Sequence, residues 1–160
     1  APVHVYGRTK LQGEDACTVA SRWLVARVSW LYGRGGTNFG STLLDRARAG
    51  ETLRAFSDMR SAPTWVDAAA DVIIRLIEAD VPSGIYHANN SGSATWEEFA
   101  CAAIAAAGLN VPVLPSSVRS AGLPARRPAF SAMETLETEH LIGRVPSWQE
   151  GLALAVANGL

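Results

Sequence analysis

Three copies of one short pattern fix where this chain can start a helix. Thr64-Trp65-Val66-Asp67, Thr95-Trp96-Glu97-Glu98 and Ser147-Trp148-Gln149-Glu150 each read [ST]-W-x-[DE]. In such a cap the hydroxyl accepts a hydrogen bond from the amide three residues on, and the carboxylate returns to the amide of the capping residue. Helices are therefore expected to begin near Trp65, Trp96 and Trp148. The intervals between the copies differ, so the pattern is shared cap chemistry and not an internal repeat.

Around these caps helix-like and strand-like segments alternate, the mark of an α/β parallel sheet. A helix is expected over 5–21. Residues 23–30 read as a buried strand, apolar but for Arg27. Helix returns over 38–49 and stops at Gly50, a C-terminal signal. Short strands are expected at 53–57 and 85–88. Proline and serine thicken from Pro112 to Pro128, which predicts a loop with one short extended piece, Val113-Leu114. A length of 160 residues suits one domain with a real core.

A net charge of −1 argues against a nucleic-acid partner, because phosphate binding needs a basic face. The Ala-rich stretch from Ala100 to Ala107 is too short to span a bilayer, and a cytoplasmic enzyme piece is expected. Cys17 and Cys101 form no ligand cluster and fall in apolar helical stretches, so both are expected to be buried free thiols. His4, His87 and His140 are scattered, with no carboxylate or Cys at ligand spacing, so no metal site is expected.

The chemistry centres on Lys10, the one lysine beside thirteen arginines, four residues after Tyr6. An ammonium serves where a planar guanidinium does not fit. Four helical residues rise about 6 Å, so the two side chains share a face. A free phenol titrates near pH ~10, and a nearby ammonium stabilises its phenolate, bringing it closer to use as a general acid. A tyrosine packed on an aliphatic lysine stem at a helix surface is the plainer reading of the same pair.

The stretch Tyr6-Gly7-Arg8-Thr9-Lys10-Leu11-Gln12-Gly13-Glu14 resembles the active-site helix of extended short-chain dehydrogenases/reductases, marked by Y-x-x-x-K. More narrowly it resembles the dTDP-4-dehydrorhamnose reductase family. Further blocks follow in that family's order: Arg27-Val28-Ser29-Trp30-Leu31-Tyr32-Gly33, then Asn38-Phe39, then Asp58 with Ala62-Pro63-Thr64. Gly84-Ile85-Tyr86-His87 with Thr95-Trp96, and Arg127-Pro128 with Ser131, complete the series. The resemblance covers essentially all of the chain. Met59, Ser61 and Val28 depart from the family's Gln, Gly and Thr.

The resemblance implies an α/β fold: the C-terminal half of a Rossmann-like doubly wound parallel sheet with a small substrate-binding lobe. Residues 1–160 would be the C-terminal part of an NAD(P)-dependent nucleotide-sugar reductase. The dinucleotide fingerprint and a catalytic Ser/Thr lie upstream of this helix in the family, so the piece is expected to be inactive alone. NADPH or NADH would deliver hydride to the C4 carbonyl of a dTDP-4-dehydro-6-deoxy sugar, giving dTDP-L-rhamnose. Tyr6 would protonate the nascent alkoxide, and Lys10 would hold the nicotinamide ribose, so both are catalytic and cofactor-binding candidates.

Trp30 is expected to wall the sugar at the carboxyl edge of a strand, where open α/β sheets bind ligands. Asn38 either hydrogen-bonds a sugar hydroxyl or caps the helix that begins there. Arg126 and Arg127 either hold diphosphate oxygens or belong to a solvated loop. Gly33, Gly35, Gly36 and Gly40 mimic a dinucleotide fingerprint, but Asn38 occupies the third glycine position, so they read as a flexible turn under the substrate. A nucleotide-sugar epimerase or other deoxysugar ketoreductase, and a non-catalytic reductase-like regulatory subunit, stand as alternatives. The expected partner is a nucleotide sugar, with neither nucleic acid nor membrane, and homodimerisation of the complete protein is open.

Overall fold

In the computed structural model, which describes residues 2, 4–125 and 127–160, helices and strands alternate along the chain. It opens on α1 (Val5–Cys17), capped by His4, whose Nδ1 accepts from the Gly7 amide at 2.9 Å. Strands β1 (Leu24–Arg27) and β2 (Leu31–Tyr32) lead to α2 (Phe39–Arg48), closed by Gly50 at φ 75°. Next come β3 (Leu53–Phe56), β4 (Arg60–Ser61), β5 (Thr64–Trp65) and α3 (Val66–Glu78). Strands β6 (Gly84–His87) and β7 (Ala94–Thr95) precede α4 (Trp96–Ala106). The chain ends with β8 (Val113–Ser116), a 3-10 turn at Val118–Ala121, α5 (Leu136–Ile142) and α6 (Trp148–Ala157). The first helix stops short of residue 21, and the strand expected over 23–30 shrinks to β1.

Strands pair two by two among the described residues. β1 lies parallel to β6, from Leu24 opposite Gly84 to Arg27 opposite His87. β2–β5 and β3–β8 are also parallel, while β4–β7 is antiparallel. The larger core gathers Tyr32, Leu43, Leu44, Leu53, Phe99 and Leu152 between α2, α4, α6 and β3. A second cluster joins Val72 and Leu76 of α3 to Tyr86 of β6 and Val145.

Two of the three expected caps form as capping boxes. Thr95 accepts from the Glu98 amide while the Glu98 carboxylate accepts from the Thr95 amide, and Ser147 with Glu150 does the same. The Thr64 copy does not cap: α3 starts after Trp65 with no side-chain cap. Thr64 is fully buried in β5, and its hydroxyl donates to the Ala62 carbonyl and accepts from the Asn90 amide. Buried partners thus take the hydroxyl that local chemistry offered to the helix.

Asn90 ties β5 to the segment that leads into α6. Its Oδ1 accepts from the Trp65 amide at 2.9 Å and its Nδ2 donates to the Pro146 carbonyl at 3.0 Å. Gly151 makes room for this side chain, since a Cβ there would lie 2.6 Å from the Asn90 Oδ1.

Both cysteines are free, but both are exposed, against the expectation of burial. Cys17 ends a helix with no buried residue. Cys101 falls between the positions that α4 buries, Phe99, Ala100, Ala103 and Ile104, and so faces solvent despite its apolar neighbours. Among the described residues, no helix is long and apolar enough to cross a membrane.

Candidate active site

Helix α1 presents Tyr6 and Lys10 on one face, as their spacing requires. The Lys10 Nζ stands 5.5 Å from the centroid of the Tyr6 ring, within cation–π range. His4, having capped the helix, turns its ring edge to Tyr6 at 5.9 Å. Tyr6 is 67% exposed, so a ligand can reach its hydroxyl. The packed-stem and the catalytic readings of the pair share this geometry, and both residues are exposed.

Trp30 follows the end of β1 at φ 40°, a left-handed backbone uncommon for a bulky residue. Its carbonyl accepts from the Thr64 amide at 3.1 Å. The indole stacks on Trp96 at 4.7 Å and 13° between planes, with Phe99 at 5.0 Å and Phe39 at 5.6 Å. Trp30 is thus a half-buried part of an aromatic cluster, held by packing in a conformation it would not choose alone. Within that region, among the described residues, the Trp96 Nε1 and the Tyr32 hydroxyl are buried without a hydrogen-bond partner, and burial pushes the Tyr32 phenol up from its ordinary value.

Asn38 is the cap of α2. Its Oδ1 accepts from the Ser41 amide, and the Ser41 hydroxyl accepts from the Asn38 amide. The Nδ2 donates to the Gly33 carbonyl at 2.7 Å and the Gly36 carbonyl at 3.1 Å. The glycine turn is therefore fastened by Asn38. Gly33 packs so closely that a Cβ would lie 2.5 Å from the Val66 Cγ1.

Arg127 lines a separate groove of about 620 Å³ with Asp58, Met59, Ser117, Val118, Arg119 and Pro128. The groove lies beyond the carboxyl ends of the parallel strands β3 and β8. Asp58 fastens its floor by accepting from the Ser117 hydroxyl at 2.5 Å and the Val118 amide at 2.9 Å, which hold its carboxyl below the usual range. Among the described residues, neither Arg119 nor Arg127 pairs with a carboxylate. Arg126 lies outside the described residues. Sequence reading passed over Arg119; its one signal was a basic residue in a Ser- and Pro-rich loop.

The three departures from the family pattern fall at different depths. Met59 is buried at the groove, and the Ser61 hydroxyl lies 2.8 Å from that of Ser131, joining two blocks of the pattern. Val28 is exposed.

The family model described as RmlD substrate binding domain matches residues 1–160. The spore coat polysaccharide biosynthesis protein SpsK of Bacillus subtilis is 35% identical over 152 residues, covering 94% of this chain and 53% of that protein. The dTDP-4-dehydrorhamnose reductase of Escherichia coli is 34% identical over 167 residues, 95% of this chain and 55% of the enzyme. The crystal structure of dTDP-4-dehydrorhamnose reductase from Bacillus anthracis in complex with NADP superposes with a TM-score of 0.91 at 32% identity, over 99% of this chain and 57% of that one. The chain thus spans about half the length of the curated relatives it matches. A UDP-glucuronic acid 4-epimerase from Bacillus cereus, at 17% identity and a TM-score of 0.76, shares the fold. Because that family model matches residues 1–160, from the Tyr6–Lys10 helix through α6, this chain belongs to the RmlD substrate binding domain family.

Proposed function

We propose that residues 1–160 form the C-terminal, substrate-binding part of a nucleotide-sugar reductase. The complete enzyme would reduce the C4 carbonyl of dTDP-4-dehydro-L-rhamnose to dTDP-L-rhamnose, with NADPH or NADH bound chiefly by protein outside these residues. The observation that carries the reading is the open Tyr6–Lys10 pair on α1. The reductases of E. coli and B. anthracis, each about twice as long as this chain, support it.

The residues present suit a nicotinamide cofactor, because Tyr6 and Lys10 offer one hydroxyl and one ammonium side by side and exposed. When bound, that cofactor supplies the hydride. The Tyr6 hydroxyl donates its proton to the C4 oxygen, and the Lys10 ammonium donates to ribose hydroxyls while its charge offsets the phenolate left behind. Trp30 gives the sugar a flat apolar wall. Asn38 acts through the turn it fastens, and Arg127 receives the diphosphate.

In the complete enzyme, Tyr6→Phe keeps the ring and removes the proton, so kcat should fall by about 10²–10⁴. Lys10→Arg keeps the charge but changes its shape and reach, and should also impair turnover. Parent-like reduction of the deoxysugar by both variants would remove the pair from the chemistry. The 160 residues alone are expected to show no turnover.

A further inference from the structure

Of the thirteen residues of α1, all but Gly7 and Glu14 are exposed. A helix ordinarily docks through an apolar stripe, and this one has none. Gly7 is covered by Pro2 and His4. The contact with the sheet therefore centres on Glu14, whose side chain keeps 15% of its exposure against 39% for its partner Arg27. Arg27 Nε donates to one carboxylate oxygen at 2.8 Å and Nη2 to the other at 2.5 Å. The Arg27 hydrogen bond holds the Glu14 carboxyl below its usual range, and the same bond raises the guanidinium.

Arg27 is itself rigidly placed. It ends β1 opposite His87, and its carbonyl accepts from the Ala88 amide at 2.7 Å. A two-point fork fixes orientation as well as distance, which a single contact does not. Glu14 lies four residues beyond Lys10 and eight beyond Tyr6, near the same side of the helix.

We infer that the Glu14–Arg27 ion pair is a positioning device that sets the rotation of α1 on the sheet, and with it where the Tyr6 hydroxyl and the Lys10 ammonium point. The inference rests on the reading of Tyr6 and Lys10 as the reacting pair. Glu14 and Arg27 touch neither substrate nor cofactor in this role.

The test uses two readouts. In the 160-residue chain, Glu14→Gln and Arg27→Met should each speed amide hydrogen exchange across residues 8–17 by roughly tenfold, while the amides of α4 and α6 keep their protection. The charge-reversed double variant, Glu14→Arg with Arg27→Glu, should restore it. In the complete enzyme the single variants should lower kcat by about tenfold with little change in sugar KM, because an interaction acting through orientation is felt in the transition state. The reversed pair should recover part of that loss. Unchanged exchange in both single variants overturns the device, and so does faster exchange with parent kcat. If Tyr6→Phe is fully active while exchange responds as expected, the assignment of Tyr6 fails and the docking of α1 by this pair survives.

Discussion

Trp30 rests against three aromatic rings at the edge of the larger core, while Tyr6 stands two-thirds exposed on a helix that buries nothing. Both are candidates for the same site, yet they are held by opposite means. Dispersion and apolar burial hold the tryptophan, even against an unfavourable backbone angle. A forked ion pair holds the helix of the tyrosine. The difference follows from what each would do. A wall needs one face against the sugar and can bury the other, whereas a proton donor flanked by cofactor and substrate has no face left to pack within its own lobe.

The largest expected effect tests the packed side. Phe99 is completely buried and touches Trp30, Tyr32, Phe39 and Trp148. Phe99→Ala should cost about 3–5 kcal/mol, the range for deleting a buried aromatic ring. Leu11→Ala on α1 removes a half-exposed side chain and should stay within about 0.5 kcal/mol of the parent. Chemical denaturation of the two variants measures both. A comparable loss at Leu11 would show that α1 is packed more firmly than its exposure indicates.

A smaller contrast comes from one substitution made twice. Gly151→Ala pushes a methyl to within 2.6 Å of the Asn90 Oδ1, which already binds the Trp65 amide, and should cost about 1–3 kcal/mol. Gly13 lies inside α1 with nothing within 4 Å of a new Cβ, so Gly13→Ala should stabilise by about 0.5–1 kcal/mol through helix propensity and a stiffer unfolded chain. Opposite signs in thermal melts are expected; two losses would mean that α1 is crowded.

The sequence disclosed whatever depends on near neighbours. The Tyr6–Lys10 face, the caps at Thr95 and Ser147 and the stop at Gly50 are local chemistry, and the structure keeps them. It misled where distant partners compete. Thr64 reads like the other two caps, but Asn90, 26 residues away, takes its hydroxyl. Cys101 sits in an apolar stretch, but the helical period turns it outward. Asn38 presented two readings because an amide can serve a ligand or a cap; the structure uses its Oδ1 and Nδ2 to hold the turn and cap α2. Glu14 and Arg27 were each visible in their motifs, yet their pairing crosses two elements and no spacing rule joins them.

The smallest effect separates the two regions by acid. Glu14 titrates below its ordinary value in the folded chain because Arg27 binds its ionised form, so the folded state takes up a proton less readily than the unfolded state. The docking contribution is therefore fully present above the ordinary glutamate value of 4.5 and disappears as pH falls below it, through the lowered folded value. Glu98 is also lowered, chiefly by the Thr95 amide and then by Arg60, and Glu150 is lowered to about 2, chiefly by Arg144 and then by the Ser147 cap. Those carboxylates close caps on helices whose other faces are buried, so their protonation frays a first turn and leaves the helix in place. Protonation of Glu14 removes the contact that docks α1. In an NMR pH series, the Leu11 and Gly13 amides should shift as pH falls below 4.5 while Ala103 and Leu152 hold still, and Glu14→Gln should flatten the α1 response. If all four amides move together at one midpoint, α1 and the aromatic core unfold as a single unit and the contrast between them is lost.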